Sequence, residues 1–192
     1  MKIMLGTVLK RLLPSALSII ALSFLSVGAL AQTVYVVSDN AIPESRYASR
    51  KLASALNEQG YVLVDSARDY DYLISVAVND YKLREEAFSI IPEGPVLSVY
   101  GGDGRGMLYG VLALIEELQR GAGLGEIKAR SEEPHLQLRA IKHNFPWDSY
   151  RPSKAIDQHY DTTRDLAYWE AFLDMMVENR FNALTLWNLH PW

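Results

Sequence analysis

Two short stretches concentrate the side chains best suited to chemistry. HNFPWD, residues 143–148, follows the β-like run LQLRAIK, and NLHPW, residues 188–192, follows the β-like run ALTLW. His143, Asn144, Trp147 and Asp148 thus stand at one strand end, and Asn188, His190 and Trp192 at another. If the two strands are parallel members of an α/β barrel, their carboxyl ends converge on one mouth, where such barrels bind ligands. Polar groups interleaved with tryptophan suit a sugar: the indole packs on the apolar C–H face of the ring, and Arg, Asn and His satisfy its hydroxyls. A carbohydrate is therefore the expected ligand. The alternative is that Trp147 and Trp187 are core residues and the histidines are structural.

Other chemistry fits less well. GGDGRGMLYG, residues 101–110, lies between a strand-like and a helix-like segment, and Gly104-x-Gly106-x-x-x-Gly110 formally matches a dinucleotide-binding variant. The strand before it reads as a hairpin arm, however, and no parallel strand with an acidic end follows at the required distance. The expectation is a turn in which Gly101, Gly102 and Gly104 supply positive φ. Asp103 would cap the next helix and Arg105 would lie on its exposed face. Gly106 and Gly110, four apart, would let that helix lie close on a sheet. No H-E-x-x-H, cysteine or helical histidine pair points to a metal, and no G-x-S-x-G to a serine nucleophile. Asp161 and Asp165 suit a helix N-terminus better than an acid/base pair. No cofactor is expected.

The elements that would position these groups follow from periodicity. TVYVV, YVLV and YLISVAV read as strands, with a helix between the first two: Ala48, Leu52, Ala55 and Leu56 share a face, and Gly60 sits at its C-terminal end. REEAFSII and PVLSVY form a hairpin through PEG. Met107, Leu108, Val111, Leu112, Ile115 and Leu118 mark a second helix. The first domain is thus β-α-β-β-β-β-α, a small sheet with two helices covering one face. AGLGEIKARSEEP is a connector, and the expected domains are residues 32–130 and 131–192. In the second, residues 136–146 read as a strand, 147–165 as a long polar loop and 166–182 as an amphipathic helix. Leu166, Trp169, Phe172, Leu173, Met176 and Val177 would share that helix's face, and ALTLWN would be a buried strand. Strand, loop, helix, strand predicts a parallel β-α-β unit with a right-handed crossover.

EEAFSIIPEGPVLSVYGGDGRGMLYGVLALIEEL resembles the small α/β domain that precedes the catalytic barrel in family 20 β-N-acetylhexosaminidases and family 67 α-glucuronidases, with Gly106 to Gly110 matching their G-x-x-Y-G-like helix start. EEPHLQLRAIKHNFPW is similar to the first barrel strand of those enzymes, and AYWEAFLDMMVENRFNALTLWN to the first helix and second strand. The resemblance implies that Arg139 takes the place of an arginine that contacts sugar hydroxyls in family 20. The implied substrate-binding set is Arg139, His143, Asn144, Trp147, Asn188 and His190. Ala140 and Asn144 depart from the family 20 pattern of Gly and Asp. A full (β/α)8 barrel takes about 250 residues, whereas 57 run from Leu136 to Trp192. The expectation is therefore a truncated barrel, its catalytic carboxylates on strands beyond this chain. Its open edge and apolar face would make the C-terminal third aggregation-prone. The alternative function is a non-catalytic envelope module that binds glycans or a partner.

The chain has 192 residues, a net charge of −4 and no cysteine. An acidic chain with scattered lysines and arginines lacks the footprint of a nucleic-acid binder. Lys2, Lys10 and Arg11 precede an apolar run from Leu12 to Leu30, and Ala29-Leu30-Ala31 supplies the small residues of a cleavage site. This predicts a signal peptide over residues 1–31, a periplasmic or secreted protein, and membrane contact only through that segment. N-terminal sequencing of exported protein is expected to begin at Gln32; an intact Met1 would refute cleavage.

Overall fold

A computed structural model describes residues 31–79, 83–145 and 154–187. The signal-like segment, Trp147, Asn188 and His190 lie outside the described residues. The first part runs β1 (Thr33–Ser38), α1 (Pro43–Glu58), β2 (Val62–Leu63), β3 (Tyr72–Val78), β4 (Phe88–Glu93), β5 (Val96–Gly101) and α2 (Gly104–Gln119). The strand β6 (Arg130–Glu132) then completes a six-stranded sheet in the order β2-β1-β3-β5-β4-β6. The first four of these neighbours are parallel, and β4 is antiparallel to both β5 and β6. The β4–β5 hairpin closes beside Gly94, whose φ of 61° is open to glycine. Because β6 reaches Glu132, the first sheet takes in residues 131 and 132, which the sequence assigns to the second domain.

Alternation along the strands sends Val34, Ile74, Val76, Phe88, Ile90, Leu97 and Val99 to one face, where Ala48, Leu52 and Leu56 of α1 and Met107, Val111, Leu114 and Leu118 of α2 meet them. All of these are buried, and each large aliphatic side chain contributes about 1.5–3 kcal/mol by leaving water. The helix α2 is buried nearly all round, from Gly106 to Ile115. A helix that apolar must be enclosed.

Close approach, rather than special backbone angles, explains the glycines before α2. The described glycines with positive φ are Gly60, Gly94 and Gly121, so the expectation of positive φ at Gly101, Gly102 and Gly104 is corrected. A Cβ on Gly106 would sit 2.2 Å from the Ala87 carbonyl oxygen, and one on Gly110 would sit 2.7 Å from Val99 Cγ1. The two glycines thus press α2 against β4 and β5, as their spacing predicts. Asp103 caps the helix: its Oδ1 accepts from the Gly106 amide at 2.7 Å. A second acceptor role for the same oxygen, toward the Glu86 amide at 3.0 Å, already occupies this helix start with a carboxylate. An anionic phosphate would be repelled there.

The second part comprises β7 (Ala140–Asn144), α3 (Lys154–Arg164), α4 (Leu166–Glu178) and β8 (Ala183–Trp187). The strands β7 and β8 are parallel, with Ala140 opposite Ala183 and Asn144 opposite Trp187. Two expectations are corrected. Residues 136–139 precede the strand and leave Leu136 and Leu138 exposed. Most of the expected polar loop is the helix α3, whose predominantly polar composition reads as loop. The expected apolar face of α4 is only partly used, with Met176 buried and Leu166 and Leu173 exposed.

Gly106→Ala tests the close approach. Its added methyl meets backbone that cannot swing aside, so urea denaturation is expected to show a loss of about 1–3 kcal/mol. An unchanged midpoint would mean that α2 has room to move.

Candidate functional site

The strand β7 alternates, so adjacent residues must point to opposite sides of the two-stranded sheet. His143 points to the helices. Its ring centroid is 4.9 Å from Trp169, 5.6 Å from Phe172 and 5.7 Å from His159. Its Nε2 shares a hydrogen bond of 3.0 Å with the Tyr168 hydroxyl, and Nδ1 is buried without a partner among the described residues. Burial, and then the nearby His159, push the His143 pKa below the usual histidine range. His143 thus packs beneath α3 and α4, on the side of β7 opposite Lys142 and Asn144.

Lys142 and Asn144 therefore face away from the helices, which in a barrel is the interior. Lys142 Nζ lies 3.7 Å from the centre of the Trp187 ring. That contact places Trp187 on the same face, across from Asn144 in register. Asn144 and Trp187 are both exposed. At the carboxyl ends of two parallel strands the face thus offers an indole plane, an ammonium and an amide. The indole can stack on a sugar ring, the amide can pair with its hydroxyls, and the ammonium can meet a carboxylate. Lys142 is absent from the sequence-predicted set, and Trp187 appears there only as a possible core residue. Strand parity was the available signal, since His143 and Asn144 cannot both face one ligand.

Arg139 sits at the opposite end, one residue before β7. Its Nη2 donates to Glu86 Oε2 at 2.6 Å and its Nε to the Arg180 carbonyl at 2.6 Å, and a further bond goes to the Leu136 carbonyl. Only 17% of the side chain is exposed. Burial lowers the Arg139 pKa, but the hydrogen bonds and charges of Glu86 and Tyr109 together raise it further, so its charge is secure. Its donors are thus committed to the seam with the first domain. A cleft of 480 Å³ beside it, lined by Arg84, Arg105, Glu133, Gln137 and Asn182 among others, also lies at this amino end of the strands. In α/β barrels that end carries stability rather than chemistry.

Of the six sequence-predicted binding residues, the structure places Asn144 on the exposed side of the strand pair, His143 beneath the helices and Arg139 at the seam before β7. Trp147, Asn188 and His190 lie outside the described residues. Among the described residues no cluster of three or more His, Asp or Glu side chains is arranged to hold a metal. The depressed pKa of His143 has a consequence for stability. The folded chain binds this proton less readily than the unfolded one, so His143 costs nothing above its unfolded value of about 6.5 and destabilises progressively as pH falls below it. Chemical denaturation at a series of pH values is expected to lose stability as pH falls below about 6.5, and His143→Phe to flatten that slope. An unchanged slope would mean that His143 titrates normally.

No family model matches the chain, and no curated protein matches it. Solved structures do. A family 138 glycoside hydrolase targeting pectin rhamnogalacturonan II superposes with a TM-score of 0.68 and 30% identity, over 83% of this chain and 24% of that one. A family 115 4-O-methyl-α-glucuronidase with specificity for decorated arabinogalactans gives 0.56 and 17%, over 81% and 25%. A family 20 β-N-acetylglucosaminidase gives 0.52 and 15%, over 82% and 28%. The chain spans about a quarter of the length of these structures. They include family 20, as the sequence resemblance implies, and do not name family 67. The fold is glycoside hydrolase-like: an α/β domain of the kind that precedes such barrels, followed by the first β/α unit.

Proposed function

We propose that this chain is the N-terminal portion of an exported glycoside hydrolase acting on oligosaccharides or polysaccharides, α-glucuronidase-like rather than hexosaminidase-like. The observation that carries the reading is the helix-free face at the carboxyl ends of β7 and β8, where Lys142, Asn144 and Trp187 stand together. A lysine on an indole platform suits a sugar that bears a carboxylate, since the ammonium gains a charge-assisted hydrogen bond that a neutral hexosamine would not return. The solved structure with 30% identity targets a pectic polysaccharide, and another removes 4-O-methyl-glucuronate, which supports an acidic-sugar substrate. In this reading the groups that protonate the leaving oxygen and stabilise the oxocarbenium-like centre belong to later strands. Export rests on the leader-like residues 1–31.

The test uses the full-length protein on aryl uronides, aryl N-acetylhexosaminides and rhamnogalacturonan II oligosaccharides. Hydrolysis of a uronate-bearing substrate is expected. Trp187→Ala should weaken binding on the order of tenfold, the scale of one lost aromatic stack. Lys142→Met should reduce kcat/KM on acidic substrates more than on neutral ones. Equal activity of both variants and wild type would overturn the assignment of this face.

A further inference from the structure

We propose that Glu86 is a register lock: through this one carboxylate the first domain sets the alignment of β7 on β8, and so decides which face of the pair is presented to a ligand. The inference stands on the seam alone and does not require the proposed substrate.

Glu86 lies just before β4, buried, with a φ of 60°. Left-handed backbone at a residue with a side chain is disfavoured, so its surroundings must hold it there. They do so from both sides. From the first domain, Asp103 accepts the Glu86 amide, and Arg105 Nη1 donates to Oε1 at 2.8 Å. From the second, Arg139 donates to Oε2 at 2.6 Å, and Asn182 Nδ2 donates to Oε1 at 3.1 Å. Arg139 is the residue before β7, and Asn182 the residue before β8. The two are also joined directly, since Asn182 Oδ1 accepts from the Arg139 amide at 2.9 Å and the Asn182 amide donates to the Arg139 carbonyl at 2.9 Å. Both strands therefore start from the same anion. The Glu86 pKa shows the balance: burial raises it, but the bonds from Arg139 and Asn182 and the charges of Arg139 and Arg105 lower it further, so the carboxylate stays ionised.

Two strands alone are marginal. Packing beneath α3 and α4 specifies the register from one face only, through side chains such as His143, and the seam at Glu86 adds a second constraint from the strand ends. A slip of one residue between β7 and β8 would turn one strand over relative to the other and separate Lys142 from Trp187. The lock acts before the first residue of each strand, where a slip would have to begin.

Amide hydrogen exchange on the full-length protein tests this. In Glu86→Gln, which keeps the shape and removes the charge, amides of β7, β8 and Asn182 are expected to exchange at least about tenfold faster, while those of α1, β1, β3 and β5 keep their wild-type rates. Asn182→Ala should give the same pattern, and the double variant no more than the larger single effect, as for residues in one network. Unchanged protection in β7 and β8 in either variant would overturn the proposal, as would additive effects or equal acceleration throughout the first sheet. If Glu86→Gln fails to fold, Asn182→Ala decides alone, since its side chain lies outside the first domain's core.

Discussion

The carboxylate of Glu86 is the point on which both halves of the described chain converge. Burying an ion costs several kcal/mol unless hydrogen bonds and opposite charge offset the loss of water, and Glu86 receives two guanidinium groups and an amide. Removing any one partner leaves the others facing a less well-compensated charge. Such an arrangement adds little net stability over well-packed apolar side chains. In the proposed lock it sets where the two strands begin.

Several features of the first domain exist in service of that placement. Gly102 and Gly106 leave room for the segment 84–87 against the start of α2, because a Cβ at either would strike its backbone. Asp103 then ties that segment to the helix by capping both the Gly106 and the Glu86 amides. At a second contact, Lys51 of α1 donates to Asp174 and Glu178 of α4, each at 2.9 Å, and Arg180 donates to Glu116 of α2 at 3.1 Å. Val177 of α4 packs on the first domain's core. The first domain is therefore a buttress that continues into the barrel rather than a module on a flexible linker.

Most of the first domain was legible in the sequence because its strands and helices carry strong period-two and period-3.6 patterns over a shared core. Gly106 and Gly110 were legible for the same reason, as their spacing matches a helix face. The helix α3 was not, since the few apolar residues of KAIDQHYDTTR are outnumbered by polar ones and the stretch reads as loop. Nor was the role of Arg139, whose partner Glu86 lies 53 residues earlier and is brought near only by the fold. His143 and Asn144 were chosen for their chemistry, whereas the pleat sends them to opposite sides. Residue type suggested a sugar-binding strand end, and only the direction of the side chains could say that Lys142, Asn144 and Trp187 share one face.

A carbohydrate reading of this chain thus depends on three side chains held by a seam at the far end of their strands. The most direct measurement is a crystal structure of the full-length protein with an acidic oligosaccharide bound. A sugar ring stacked on Trp187, with its carboxylate within reach of Lys142 and a hydroxyl on Asn144, is the expected result. A sugar bound to Arg139, or one that leaves the Lys142 and Trp187 face empty, would contradict it.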